Sequence, residues 1–195
     1  MKIILASSSP RRAEILRNAG IAFEIRSAEI DETPLPGESA RAMVARLAEA
    51  KARAAAAQLS GGADECIFVG ADTTVEVQGE ILGKPADSAE ARAMLAKLSG
   101  CTHHVLTGVF LLRLPDKVSR AAVEDSAVTF APLDEQEIAA YVATGEPLGK
   151  AGAYGIQGYA GTFVSKIEGC YFNIVGLPLA SIYKLLRELG WRRPA

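Results

Sequence analysis

The chain is poor in the residues that build metal knuckles and disulfide frameworks, with 3 cysteines and 2 histidines among 195 residues. Cys66, Cys101 and Cys170 lie far apart, form no CxxC pair and are odd in number. Neither a disulfide scaffold nor a zinc knuckle fits that pattern, and a reducing compartment is expected. His103 and His104 have no acidic or cysteine neighbours in sequence and read as structural or exposed. Excess charge of one sign is lacking as well: 21 Lys+Arg against 23 Asp+Glu leave a net charge of −2. Without a basic surplus, neither a nucleic-acid polymer nor an anionic membrane surface is an expected partner, and any basic residue that matters acts locally. No stretch approaches the roughly 20 apolar residues of a membrane span. The apolar opening Ile3-Ile4-Leu5-Ala6 stops at Ser7-Ser8-Ser9, too soon for a secretory leader, so a soluble cytoplasmic protein is expected. A Walker-type loop is excluded because Lys84 is followed by Pro85 and Lys150 by Ala151. No G-x-G-x-x-G opens a helix, and no serine–histidine hydrolase signature occurs.

What is present is globular. Apolar residues make up 49% and charged residues 23%, and the length predicts one domain over 1–195, or at most two closely packed lobes. Strand and helix patterns alternate. Lys2–Ala6 reads as a buried strand, and Ser9-Pro10 as the cap and first position of a helix that stops near Gly20. Ile21, Phe23 and Ile25 alternate as a half-buried strand. An alanine-rich helix is expected from Ala40 to Leu59, stopping at Gly61-Gly62. Cys66–Val69 reads as a strand, Thr74–Val77 and Glu80–Leu82 as a hairpin around Gln78-Gly79, and Ser88–Leu98 as a helix. Val105–Leu112 and Ser126–Phe130 are paired strands. Asp134-x-x-Glu137 is a capping box. Thr162–Ile167 and Tyr171–Val175 read as a second hairpin, and Pro178 opens a last helix facing the core through Ile182, Leu185, Leu186 and Leu189. Helices alternating with hairpins predict an α/β fold with a mixed sheet.

Several residues break local rules, which is where functional sites are sought. Arg11 and Arg12 fall in the first turn of a helix, against the positive end of its dipole. With Ser7-Ser8-Ser9 ahead of them they fit an anion site at a helix N-terminus; two solvated arginines are the plain alternative. Lys51 falls on the apolar stripe marked by Val44, Leu47, Ala48 and Ala55, so it either meets an anion or snorkels to a rim. Asp72 follows the strand Cys66–Val69, at the carboxyl end where α/β sheets place ligand-binding groups; a simple turn aspartate is the alternative. Glu32, on a proline-broken loop, offers a second carboxylate, with an exposed loop acid as the plainer reading from sequence alone. Gly83-Lys84-Pro85 holds a lysine after a hairpin, with a solvated loop lysine as the plainer reading of that segment alone. The run from Gly149 to Gly161 is dense enough in glycine to let backbone approach a ligand, with Tyr154 and Gln157 as candidates to stack on and hydrogen-bond a base.

Taken in order, these segments resemble the Maf family of nucleoside triphosphate pyrophosphatases nearly end to end. Ala6-Ser7-Ser8-Ser9-Pro10-Arg11-Arg12 resembles its N-terminal signature, Glu49-Ala50-Lys51-Ala52 its lysine-bearing helix motif, and Gly70-Ala71-Asp72-Thr73 its catalytic aspartate segment. Gly83-Lys84-Pro85 and Gly149–Gly158 resemble its later motifs, with Gly149 standing where relatives commonly carry aspartate. The resemblance implies a two-lobed, Maf/ITPase-like α/β fold with a cleft around a bent mixed sheet, often as a homodimer. It implies hydrolysis of a nucleoside triphosphate to monophosphate and pyrophosphate with a divalent cation, Mg²⁺, Mn²⁺ or Co²⁺. It assigns chemistry to Asp72, Glu32, Lys51 and Lys84, with Asp72 and Glu32 on the metal. It assigns substrate binding and specificity to Ser8, Arg11, Arg12, Thr73 and Gln157. Arg11, Thr73 and Gln157 match the branch acting on dTTP and UTP, so the substrate expected is a pyrimidine nucleoside triphosphate, modified ones included. The competing expectation is a nucleotide-binding regulator of septum formation without catalysis.

Overall fold

A computed structural model describes residues 1–59 and 65–193; the expected helix stop at Gly61-Gly62 lies outside the described residues. Seven strands run in chain order as β1 Lys2–Leu5, β2 Glu24–Ile25, β3 Cys66–Val77, β4 Glu80–Leu82, β5 Thr102–Leu114, β6 Ser119–Phe130 and β7 Val164–Glu168. The helices are α1 Pro10–Asn18, α2 Ala40–Ala57, α3 Ser88–Leu98, α4 Glu135–Ala143, α5 Tyr171–Val175 and α6 Leu179–Glu188. The strands form one sheet in the order β2-β1-β3-β5-β6-β7, with β4 on β3. Strand β1 lies parallel to β2 and β3, whereas the β3–β4 and β6–β7 pairs are antiparallel. The sheet is mixed and flanked by helices, as the alternation of elements predicts.

The chain divides into two compact units. The first comprises Met1–Asp72, Thr107–Glu124 and Gly176–Ala195, and the second Thr73–Leu106 and Asp125–Val175. In the first, α2 packs on the sheet through small residues. Ala48, Ala52 and Ala55 meet Ile4, Ala6, Phe68, Phe110 and Leu112 in one core cluster. The approach is closest at Gly70 and Gly108, where an added Cβ would lie 2.1 Å from the Ala48 carbonyl and 2.3 Å from that of Val44. No side chain fits there, so alanine on the helix and glycine on the strands are a steric requirement. Residues 66, 68, 70 and 72 share one face of β3, because side chains alternate along a strand. The face that α2 covers is therefore also the face that carries Asp72.

The second unit is built on aromatic rings. Phe130, Tyr154, Phe163 and Tyr141 lie buried with Leu95, Leu98, Val105 and Val128. Their rings meet edge to face, as in Phe130–Tyr154 at 4.9 Å and Tyr141–Phe163 at 5.3 Å, the geometry that ring quadrupoles favour. Helix α4 begins as its sequence predicts, with the Asp134 and Glu137 side chains capping each other's backbone N–H groups.

Three sequence expectations give way. The strand over Ile21–Ile25 shrinks to Glu24–Ile25, because the Ile21 N–H closes the turn after α1 on the Leu16 carbonyl at 3.0 Å. Asp72 is interior to a single strand that runs on to Val77, rather than just past a strand end. The segment Tyr171–Val175 is helical, and β7 pairs with β6 instead. Its β-forming composition is overridden by Asn173, whose Nδ2 is drawn inward to the Val105 carbonyl at 2.8 Å and Ser126 Oγ at 2.9 Å.

Candidate active site

In the first unit, Lys51 stands near the middle of α2 with its ammonium between two carboxylates. Its Nζ lies 2.6 Å from Asp72 Oδ1 and 2.6 Å from Glu32 Oε1. The Lys51 and Asp72 side chains are 12% and 11% exposed and that of Glu32 is 43% exposed, so the cluster is shielded on one side and open on the other. The close packing of α2 on Gly70 fixes the height from which Lys51 reaches Asp72, one side-chain step along the same strand face. Lys51 thus meets anions, and the snorkelling alternative fails.

The serine-arginine turn contributes a second cation. Arg12 is buried, donating from Nε to the Gly176 carbonyl at 2.8 Å and from Nη1 to Ser7 Oγ at 3.1 Å. Burial lowers the pKa of its guanidinium, while the negative charges of Asp72 and Glu32 act in the opposite direction, so Arg12 lies within the field of both carboxylates. Ser7 Oγ also accepts from the Ser9 N–H at 3.2 Å, which pins the turn. Ser9 caps α1 without a side-chain hydrogen bond, and the first turn carries no acidic residue. The backbone N–H groups there keep their preference for an anion. Arg11 is half-buried and Ser8 exposed on this turn. Ser7, which the sequence places in the turn without the substrate-binding role given to Ser8, is the buried serine of the three; its position directly after an apolar strand is the signal that sets it apart.

The remaining sequence candidates belong to the second unit. Thr73 follows Asp72 on β3 and is half-buried, while Lys84 and Gln157 are exposed on loops. Those loops are stitched together, because the Gly152 N–H donates to the Gly83 carbonyl at 3.0 Å. The glycine-rich segment is not slack: it holds two 3₁₀ turns, Ala151–Ala153 and Tyr159–Phe163. Glu146 gathers it by accepting from Tyr141 Oη at 3.1 Å and from the Tyr159 N–H at 3.2 Å, and its carbonyl accepts from Lys150 Nζ. Burial, with the charge of Glu146 adding to it, raises the Tyr141 phenol above its ordinary pKa. Tyr154 does not stack on a base. It is 5% exposed, its ring packs on Phe130, and its hydroxyl lies 2.9 Å from His103 Nε2. Burial also raises the Tyr154 phenol. His103 is fully buried and structural, and burial lowers its pKa to about 4. His104 is exposed and meets Asp125 across the strands at 2.8 Å, an acidic neighbour that sequence adjacency does not reveal.

Among the described residues there is no group of three or more His, Cys, Asp or Glu arranged as a metal cage, and no helix is long and apolar enough to cross a membrane. The arrangement offers two carboxylates that share one ammonium, with a locked arginine and a helix N-terminus in the same unit. Such a set is chemically suited to a polyanion accompanied by a cation.

The family model described as Maf-like protein matches residues 2–189. A dTTP/UTP pyrophosphatase of Anaeromyxobacter sp. is 52% identical over 99% of this chain and 92% of the relative. Proteins of the same name from Pelotomaculum thermopropionicum and Symbiobacterium thermophilum are 48% and 50% identical, each over 97% of this chain and over 97% and 95% of their own lengths.

Proposed function

The chain belongs to the Maf family, and on that premise we propose that it hydrolyses nucleoside triphosphates, dTTP and UTP foremost, to the nucleoside monophosphate and pyrophosphate. The observation that carries this reading is the Lys51 ammonium held 2.6 Å from both Asp72 and Glu32. A pair of carboxylates converging on one cation at a half-open site is the donor set that a hard divalent ion takes together with waters and substrate phosphates. Asp72 and Glu32 would hold that ion, with Mg²⁺, Mn²⁺ and Co²⁺ as the candidates. When bound, it would offset phosphate charge and ease the deprotonation of water.

The chain's own groups do the rest. Lys51 has three ammonium donors; two go to Asp72 and Glu32, and the third is directed to a phosphate oxygen. Asp72 engages Lys51 through Oδ1, so Oδ2 is the atom that takes a proton from the attacking water. The water oxygen bonds to the α-phosphorus, the bond from that phosphorus to its bridging oxygen breaks, and the electron pair leaves with pyrophosphate. Arg11, Arg12, Ser8 and the N–H groups of α1 neutralise phosphate oxygens, and Lys84 offsets the charge of the leaving group. Thr73 and the amide of Gln157, both donor and acceptor, read the carbonyl and N–H edge shared by thymine and uracil, which cytosine inverts. Homodimer formation belongs to the same reading, and sedimentation velocity measures it.

The test is a panel of dTTP, UTP, CTP, GTP, 5-methyl-UTP and pseudouridine triphosphate, scored for pyrophosphate in H₂¹⁸O. Expected are turnover of the thymine and uracil forms and label in the monophosphate. Label in pyrophosphate moves the attack off the α-phosphorus. Binding without turnover across the panel, with Mg²⁺, Mn²⁺ and Co²⁺ supplied in turn, replaces the enzyme reading with the regulator.

A further inference from the structure

The loop that carries Glu32 runs back along α2 and is fastened to it at three heights. At its start, Gln58 Nε2 donates to the Ser27 carbonyl at 3.4 Å. In the middle, Lys51 holds Glu32. At its end, Arg46 Nε donates to Glu38 Oε1 at 2.7 Å, and Nη2 donates to Glu38 Oε2 at 2.6 Å and to the Thr33 carbonyl at 3.2 Å. Glu38 Oε2 accepts the Leu35 N–H at 3.1 Å as well, so one carboxylate closes the loop on itself and locks it to the helix. Asp31 adds a turn by accepting the Thr33 N–H at 2.9 Å.

These fastenings differ in kind. Lys51 makes one point contact to a carboxylate that is 43% exposed and shares its ammonium with Asp72, so its hold on the loop is not directional. Gln58 offers one long bond. Arg46 to Glu38 is a bidentate fork, the geometry that fixes orientation as well as distance. Its side chains are 31% and 8% exposed, and the fork keeps the Glu38 carboxyl down at about 2. The Thr33 carbonyl that Arg46 grips belongs to the residue directly after Glu32. The fork therefore holds the loop beside Glu32 at a point separate from the Lys51 contact.

We propose that Arg46, acting through Glu38 and the Thr33 carbonyl, is the positioning residue for Glu32. The inference rests on the reading of Glu32 as a substrate-site carboxylate, and the experiment separates the two. Arg46→Met, Arg46→Lys and Glu38→Gln are made alone and in a Glu32→Gln background. Each is read by kcat and KM for dTTP, by melting temperature, and by hydrogen exchange of the 31–38 segment.

In the native background Arg46→Met is expected to lower kcat/KM by about tenfold or more, since small misplacements of a reacting group cost that much. Exchange in the loop rises and the melting temperature stays within a few degrees. Arg46→Lys keeps the charge but not the fork and stays close to the Met variant. With Glu32→Gln already present, Arg46→Met adds nothing further. Full activity in Arg46→Lys, unchanged loop exchange, or losses that multiply in the double variant each overturn the positioning role. If Glu32→Gln alone is as active as the native protein, the reading of Glu32 falls instead.

Discussion

In the first unit the buried polar side chains include charged ones, Arg12 and Asp72, with Lys51 beside them; among the described residues of the second they are neutral, Thr74, His103, Ser126 and Asn173. Burying an ion is costly unless it is paired and hydrogen-bonded. Arg12 answers that cost with a carbonyl and a serine hydroxyl, and Asp72 with Lys51. The neutral groups of the second unit tie chain to chain, as Ser126 Oγ does in accepting from the Cys170 N–H and Asn173 Nδ2, each at 2.9 Å. On the proposed function, charge is retained inside where phosphate is handled, and neutral polarity where segments are tied together. The packing differs in parallel: backbone against backbone at Gly70 and Gly108, and ring against ring around Phe130.

The sharpest break in this comparison is expected from Gly70→Ala, which sets a methyl 2.1 Å from the Ala48 carbonyl. Backbone cannot retreat there without lifting α2, so a loss of at least about 4 kcal/mol is expected, read by urea unfolding. A variant that unfolds at the native midpoint would dissolve the contrast in packing. Next comes pH. His103 is held neutral down to about pH 4 by burial, first, and by the charge of His104, second. The unfolded chain takes up that proton near 6.5 and the folded chain does not, so stability is fully present above 6.5 and is lost as the pH falls toward 4. The loss reaches about 3 kcal/mol, and the difference between native protein and His103→Gln isolates it from the carboxylates. Equal slopes in the two proteins would mean that His103 protonates without penalty.

Asp72→Asn tests the charged side of the comparison. Turnover is expected to fall at least about 10²-fold while the melting temperature moves little, because the shape is kept and a charge is lost. Near-native turnover would remove Asp72 from the chemistry. The smallest effect is Gly158→Ala, where the atoms nearest the new methyl are those of the Glu146 carboxylate, 2.4 Å away at the end of a side chain. Displacing that carboxylate from Tyr141 and Tyr159 is expected to cost about 1 kcal/mol in stability and to blur the preference of dTTP over CTP. A stability loss matching that of Gly70→Ala would show the loop to be as rigid as the helix seam.

Much of this was legible in the sequence, and the failures share a cause. Local signals placed α1, α3, α4 and α6, because caps, prolines and apolar stripes act within a few residues. Lys51 announced itself as a charge on an apolar stripe, and the resemblance grouped it with Asp72 and Glu32 without pairing them. The misreadings arose where a distant residue decides. Tyr171–Val175 looks like a strand until Asn173 finds Val105 and Ser126. Tyr154 looks like a base-stacking ring until His103 and Phe130 close around it. Asp72 reads as the end of a strand because glycine and alanine interrupt the apolar run, yet the glycine is there to admit α2. The clamp of Arg46 on Glu38 left no sequence signal beyond two ordinary surface charges eight positions apart.

The seam between α2 and the sheet also limits what descent can alter. Carbonyl oxygens of the helix already fill the space over Gly70 and Gly108, so drift at those sites is closed in both directions: nothing larger enters and nothing smaller exists. Changes in substrate preference are therefore expected away from these two positions, and any variant that keeps the seam keeps the elevation of the lysine above its aspartate.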